Sequence, residues 1–482
     1  MATPNIVPRS DSEGGLGTAS KYWASAYIDT IITTGSIGIG ATPSDFHADA
    51  DDLIVGAGSG NTGITIHSGT SGFGSIFFAD GTANDATEKR GQIRYLQGTE
   101  RMDFHTDAVA TAALSLAADG AATFASTING ITFYSDTTNN SMYTHDVSGT
   151  DDTAQYNTAY GFAAMDAVTT GDSNVAVGYR AGSSITGGSQ NILIGDGAGN
   201  SVTVGNYNIA IGFEALYTED ADSTSVAIGR RALKYQNATS TPYNVAVGYH
   251  AGTAVTTGTH NVLVGGDAGL AINTGSANTI LGAGAGDALT SGNFNVAIGR
   301  SALGTEGTGG ANVAIGYQAL TLQNKGTSAY NVAVGYQAGA AVTTGDYNVL
   351  VGGETGKSIN SGERNVLMGY GAGDAITIGS YNTAAGHGAL GAETTRHGST
   401  AFGYKALLSQ TGASSDPYNT AVGYYAGLSV TTGVTNVLIG AFAGDAISTG
   451  SSNIAIGYNA LSTEDTGTKS IAIGEGLSLI HI

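Results

Sequence analysis

Short apolar runs of three residues recur along most of the chain, each opened by Asn or Ser and closed by Gly. The pattern reads NVAVGYRAG from Asn174, NILIGDGAG from Asn191, NIAIGFEAL from Asn208 and SVAIGRRAL from Ser225. Further copies open at Asn244, Asn261, Asn278, Asn295, Asn312, Asn331, Asn348, Asn365, Asn382, Ser399, Asn419, Asn436, Asn453 and Ser470, with a weaker one at Asn157. Fifteen of the eighteen intervals between these nineteen copies are 17 residues, and the others are 19, 19 and 20. A fixed short period is the mark of stacked repeats, each burying its apolar side against the next. The longer intervals precede Asn244, Asn331 and Asn419, bracketing blocks of 87 and 88 residues. Within a block, copies ending Ala-Gly come first and copies ending Ala-Leu come last.

Each unit predicts two short strands and two bends. The first strand is the Val-Ala-Ile part, of high β propensity. The Gly after it, such as Gly178 or Gly316, is expected at positive φ, which Gly accepts at little cost. The second strand is the Ala-Val-Thr-Thr part. Asn174, Asn191, Asn208, Asn244, Asn261, Asn331, Asn348 and Asn436 are expected to form a turn column. Asn tolerates the left-handed region and bonds its own backbone, and stacked copies form ladders. Side chains alternate along a strand, so Val175 and Val177 share one face and Ala176 takes the other. Both faces are apolar throughout, which predicts that both are covered. A narrow roll has one interior. The expectation is therefore an obligate oligomer with the Ala/Leu face packed between chains. Nineteen turns give a rod of about 90 Å.

The region 45–150 predicts a less regular all-β part with strands at 53–55, 64–67, 75–78, 92–96, 102–105, 121–124 and 131–134. Asp80-Gly81 and Asp119-Gly120 suggest hairpin turns. The organisation expected is an opening module at 1–44, the irregular β region at 45–150, the repeat domain at 151–476 and a foreign tail at 477–482.

Composition narrows the class. Gly is 76 of 482 residues and charged residues are 11%, unlike an ordinary globular enzyme. Only 5 Pro exclude collagen, and the absence of Cys excludes a disulfide scaffold. A net charge of −21 disfavours nucleic acid as partner. No apolar stretch of about 18 residues predicts membrane insertion as a helix. The opening MATPNIVPRSDSEGG lacks a secretion-signal pattern.

Candidate chemistry is sparse. Tyr179, Tyr249, Tyr317, Tyr336, Tyr370, Tyr404, Tyr424 and Tyr458 each follow the strand-closing Gly. They suit either glycan contacts or a structural aromatic ladder. Arg180, Arg230, Arg231 and Lys405 beside them read as solvated edge residues. HADADD at 47–52 has hard oxygen ligands but lacks the spacing of a calcium loop. Glu219-Asp220 and Glu464-Asp465 read as repeat-bound loop residues. The His residues have no metal spacing, and no nucleophile–base set occurs. The expectation is no enzyme, no catalytic residue, no cofactor and no metal.

The NVAIG-type copies resemble the head repeats of trimeric autotransporter adhesins, which implies a left-handed parallel β-roll and a homotrimer. The turns here are longer than usual in that family, and no stalk heptads are seen. Leu16, Gly17, Lys21, Trp23, Tyr27, Asp29 and Ile31, with SIGIGATPS at 36–44, ADDLIVGAGSGNTGITIHSG from Ala50 and LSLAADGAATFAS from Leu114, resemble tail-fibre-like proteins of tailed bacteriophages. That resemblance implies a virion structural protein for host attachment, joined to tail or baseplate proteins through the N-terminus. Its partner would be a host-surface glycan or protein. The alternative is a bacterial surface adhesin. A polysaccharide-degrading β-helix would want longer turns with clustered carboxylates. An ice-binding solenoid would want a flat Thr array. LSLIHI back-translates to CTG TCT CTT ATA CAC ATC, a sequencing-library transposon end. The natural chain is therefore expected to continue past Gly476; fibres of the resembled kind often end in a self-cleaving chaperone domain, and if one belonged to this chain it is lost.

Overall fold

The computed structural model describes residues 37–39, 53–55, 66, 70, 72–78, 91–106, 112–120, 122–124, 127–128, 131–132, 134–136, 141–143, 153–221, 224–238, 240–412 and 415–478. The chain divides into two compact units, Met1–Ser126 and Thr127–Ile482. All described regular structure is β.

In the first unit, β1 (Ile37–Ile39) pairs in parallel with β2 (Leu53–Val55). A separate antiparallel sheet runs in sequence order through β3 (Phe73–Phe78), β4 (Gly91–Leu96), β5 (Arg101–His105), β6 (Leu114–Leu116) and β7 (Ala122–Phe124). Its buried centre is polar. Asp103 accepts hydrogen bonds from Arg101 Nε at 2.8 Å, Ser115 Oγ at 2.6 Å and Arg94 Nη2 at 3.2 Å. Burial alone would push this carboxyl up, but those three donors outweigh it and hold it at about 2. The Asp119-Gly120 turn is where the sequence placed it. Gly120 has φ of 86° and donates to Ala117 O at 3.0 Å, turning β6 into β7. β6 was not foreseen. Asp80-Gly81, and 64–67 apart from Ile66, lie outside the described residues, as does HADADD.

The second unit is the solenoid. After the small β8–β9 hairpin (Thr127–Ile128, Ile131–Thr132), one sheet of 21 strands runs in strict sequence order. It opens with β10 (Tyr134–Asp136) antiparallel to β11 (Ser141–Tyr143), and every later pairing is parallel. The nineteen repeat strands run from β12 (Thr158–Tyr160) to β30 (Ile471–Ile473), three residues each, in perfect register. The antiparallel β10–β11 pair covers the open edge of the first turn. Ser141 Oγ accepts the Asn157 N–H at 3.0 Å, and Tyr143 is buried beside Ala159. A parallel edge left bare would template further pairing.

One strand forms per turn, not two. In the Ala-Val-Thr-Thr part the chain bends tightly. The N–H groups of Thr169, Thr170 and Gly171 converge on the single carbonyl of Thr186 in the next turn, at 3.0, 3.0 and 3.1 Å. An extended strand spreads its donors over alternate partners, so this side is a stack of loops.

The strand-closing Gly is forced by space as well as by φ. Gly178 has φ of 133°, and a Cβ there would lie 2.6 Å from Gly195 O of the next turn. Gly316 repeats this, at 135° and 2.3 Å from Gly335 O. Any side chain would part the stacked turns.

The faces of the strand are the reverse of the expectation. Ala176, Leu193, Ala210, Leu263, Ala314, Leu350 and Leu438 are fully buried inside the single chain. The Val, Ile and Thr residues on either side of them face outward and are half-buried or exposed, as with Ile192 and Ile194 at 39% and 37%. The Ala/Leu face therefore does not pack between chains. A 17-residue turn encloses too narrow a space for two β-branched side chains per strand, so the single small or unbranched residue goes inside.

Candidate binding surface

Asn174, Asn191, Asn208, Asn244, Asn261, Asn331, Asn348 and Asn436 form the expected column, fully buried. The expected ladder is there, with Asn191 Nδ2 donating to Asn174 Oδ1 at 3.0 Å, and the same carboxamides also bond backbone. Asn191 Oδ1 accepts the Asn208 N–H of the next turn at 2.9 Å, while Asn191 Nδ2 donates to Gly205 O at 2.9 Å. One carboxamide thus ties a turn to its successor and closes its own far bend. The left-handed residue is the one before the Asn, such as Tyr207 at 60° or Tyr347 at 55°. This column is structural.

That preceding position carries a second aromatic column that the sequence reading missed. Tyr156, Tyr207, Tyr243, Phe294, Tyr330, Tyr347, Tyr381 and Tyr418 all have positive φ and are all exposed. Tyr330 and Tyr347 stack at 5.4 Å with 6° between planes. The visible signal was an aromatic immediately before Asn in eight copies.

Tyr179, Tyr249, Tyr317, Tyr336, Tyr404 and Tyr458 lie on the surface at the opposite end of the strand, 36–53% exposed. Tyr317 stacks on Tyr336 at 5.4 Å and 13°, and Tyr404 on Tyr424 at 5.3 Å and 14°. Tyr179 stacks on Phe162 at 6.0 Å, while Tyr458 meets Phe442 edge-on at 6.0 Å. Within such a run the ring faces cover one another, so edges and hydroxyls are what the column presents outward. The neighbouring cations are not simply solvated. The Arg180 guanidinium lies 5.2 Å from the Tyr179 ring, Arg230 sits near both Phe213 and Tyr249, and Lys405 lies over Tyr404. Arg231 lies over Phe213 as well and pairs with Glu214 at 2.8 Å.

Between the two aromatic columns runs the outward face of the sheet. Each strand contributes two side chains, and over the nineteen strands none is charged. Val262 at 41%, Met368 at 47% and Ile473 at 62% exposure show how open it is in one chain. Exposed apolar patches on monomeric proteins seldom exceed a few hundred Å², and solvent-facing edges are normally broken by charges.

The Glu219-Asp220 pair splits, while Glu464 of the second pair is half-buried and Asp465 exposed. Asp220 sits outside and its carboxylate accepts from Thr203 Oγ1 at 2.5 Å. Glu219 is fully buried, and so are Glu306 and Glu393 at the same place in later blocks. Gln236 Nε2 donates to Glu219 Oε2 at 2.7 Å and to Ser225 Oγ at 2.8 Å, while Asn244 Nδ2 donates to Gln236 Oε1 at 2.8 Å. Gln410 makes the same set with Glu393, Ser399 and Asn419, each at 2.9 Å. These carboxylates are braces inside the turn stack. Glu219 is therefore no loop residue, and nothing near it in the sequence marks its burial, because its Gln partner lies 17 residues away.

No known protein-family model and no curated protein matches the chain significantly. Its architecture, a long parallel β-solenoid of about 17-residue turns, is compatible with a fibre-like repeat protein.

Proposed function

We propose that the chain is a structural virion protein, a tail fibre or related appendage, that assembles as a homotrimer and attaches to a host-surface glycan or protein. The observation that supports this best is the uncharged outward face of the sheet. A face of Val, Ile and Thr unbroken by charge along nineteen strands is costly in water, at about 25 cal/mol per Å² of apolar surface, and association between copies removes that cost. The resemblance to adhesin head repeats makes the copy number three. The trimer reading survives the reversal of faces: the surface between chains is the Val/Ile face. The exposed tyrosine hydroxyls on the bends flank that face and are the contacts offered to a receptor.

Light scattering on the purified chain tests the assembly. A trimer is expected, and Val313→Lys with Ile315→Lys should dissociate it without unfolding the turn, since both side chains point outward. A monodisperse monomer would overturn the reading. The gene's neighbours test the biological half. Baseplate or capsid genes support the fibre, whereas a signal sequence and membrane anchor encoded by the gene would make it a bacterial surface adhesin.

A further inference from the structure

One bend of the solenoid is hollow. A cavity of about 470 Å³ lies where the turns opened by Asn365, Asn382 and Ser399 stack. One wall is aromatic: His387 stacks between Tyr370 at 5.4 Å and Tyr404 at 5.3 Å. The hollow exists because Gly388 and Gly391 carry no side chain. A Cβ on Gly391 would stand 3.0 Å from Leu408 Cδ1 and 3.4 Å from Asp374 Oδ1. Asp374 lies on one side and Lys405 on the other.

The same place in the first block is plugged. Gly388 corresponds there to Glu214, and Gly391 to Tyr217. The Tyr217 ring lies over Gly197, 3.1 Å from where a Cβ would be. Glu214 is clamped by Arg231 at 2.8 Å and Lys234 at 2.7 Å. The backbone is equivalent, since Glu214 has φ of 52° and Gly388 has 63°. Glycine at 388 and 391 is therefore not a demand of the turn. Two side chains that fill the site in one block are absent in another.

We infer that the notch lined by His387, Asp374, Lys405 and Leu408 is a saccharide-binding site. A sugar ring of one or two residues suits both its size and its chemistry. Ligand pockets run from about 300 to 1,000 Å³ with a few placed polar groups. Asp374 accepts hydrogen bonds, and Lys405 donates them. Leu408 and the ring edges give an apolar side for the C–H face of a pyranose. The two charges are already answered within the protein: Lys357 Nζ stands 4.0 Å from Asp374, and Lys405 lies over the Tyr404 ring. The notch therefore asks for hydroxyls rather than for a strongly charged ligand. This rests on the attachment reading only in naming the receptor's chemical class.

Ligand-observed NMR with D-glucose, D-galactose, D-mannose and N-acetyl-D-glucosamine, each added to the intact chain, tests it. At least one should bind. Gly391→Tyr, which copies the plug of the first block, should weaken that binding more than tenfold while the melting temperature stays near the parent's. Asp374→Asn should weaken it less. If none of the four sugars binds, or if Gly391→Tyr binds as the parent does, the inference fails. Sugar binding that Gly391→Tyr abolishes, in a chain whose gene lies among no virion genes, would leave this inference standing while the fibre reading fell.

Discussion

Turns ending Ala-Gly and turns ending Ala-Leu share one backbone and fill it in opposite ways. Gly182 and Leu216 occupy the same position at φ of 58° and 50°. The left-handed conformation therefore does not dictate glycine there, though for Leu it costs about 1 kcal/mol. Room decides. A Cβ on Gly182 would lie 2.7 Å from Leu193 Cδ1 of the next turn. Where the strand centres of a turn and of the next are both Ala, as at Ala210 and Ala227, the bend supplies Leu216 instead. Three residues further on, the Gly class buries Ile185, Val202 or Ile272, and the Leu class buries Glu219 or Gln236. Core volume in a stack this narrow is shared between adjacent turns, so the order of turn types within a block is a packing rule.

The largest effect should come from emptying the Leu class. Leu303→Ala leaves a cavity that the neighbouring turns cannot collapse into without losing register. A loss of about 2–5 kcal/mol is expected in urea unfolding. Overfilling the Gly class comes next. Gly269→Leu would drive a side chain into Leu263 and Ile272, the nearer carbon 2.7 Å from the new Cβ. It should cost about 1–3 kcal/mol. Adding Leu263→Ala should restore part of this, because it removes one of the two side chains that the new Leu would meet, while Ile272 stays. Strict additivity of the two changes would break the shared-volume account.

The polar difference is tested by Gln236→Ile, which copies the Gly class at one position. It removes the donor to Glu219 and Ser225 and the acceptor of Asn244. An expected loss of about 1–2 kcal/mol, seen as faster hydrogen exchange of the Asn244 turn, would distinguish a brace from a filler. Unchanged exchange would make the column mere filling.

How far the chain could be read depended on which signals differ between readings. Period, strand positions and the Asn and Gly columns were legible, because spacing alone carries them. Burial sides were not. Val175, Ala176 and Val177 are all apolar, and hydropathy cannot say which faces in. Size could have said it, since the inward residue is Ala or a single Leu or Ile while its neighbours are mostly β-branched. The Ala-Val-Thr-Thr segment looked like a strand by propensity, yet the bend takes its N–H groups three to one carbonyl. Glu219 and Gln236 were opaque for a third reason: their pairing is between turns, and each alone looks like a loop residue.

The smallest prediction concerns the one block where the brace is incomplete. In the second block, Asn312 stands where Ser225 and Ser399 stand in the first and third. Gln323 Nε2 there donates to Thr343 O at 3.1 Å and not to the Glu. Gly309 occupies the place of Arg396, which pairs with Glu393 at 3.2 Å. Glu306 keeps the Gly309 N–H on Oε1 at 2.7 Å, but its Oε2 has no hydrogen-bond partner. Burial pushes this carboxyl above its usual range, and the nearby backbone N–H groups only partly offset that. The native state then holds its proton more tightly than the unfolded chain. The associated stability is fully present below the ordinary carboxylate range and is lost as pH rises through the raised folded value. Lys325 offers this carboxylate its backbone N–H, while its ammonium pairs with Asp346. Glu306→Gln removes the titration, so at neutral pH it should stabilise this turn by about 1 kcal/mol. At acid pH the gain should shrink toward zero. The same change at Glu393, where Gln410 and Arg396 are in place, should destabilise at neutral pH. A gain of equal size at both sites would mean that the partners, and hence the difference between the blocks, carry no weight.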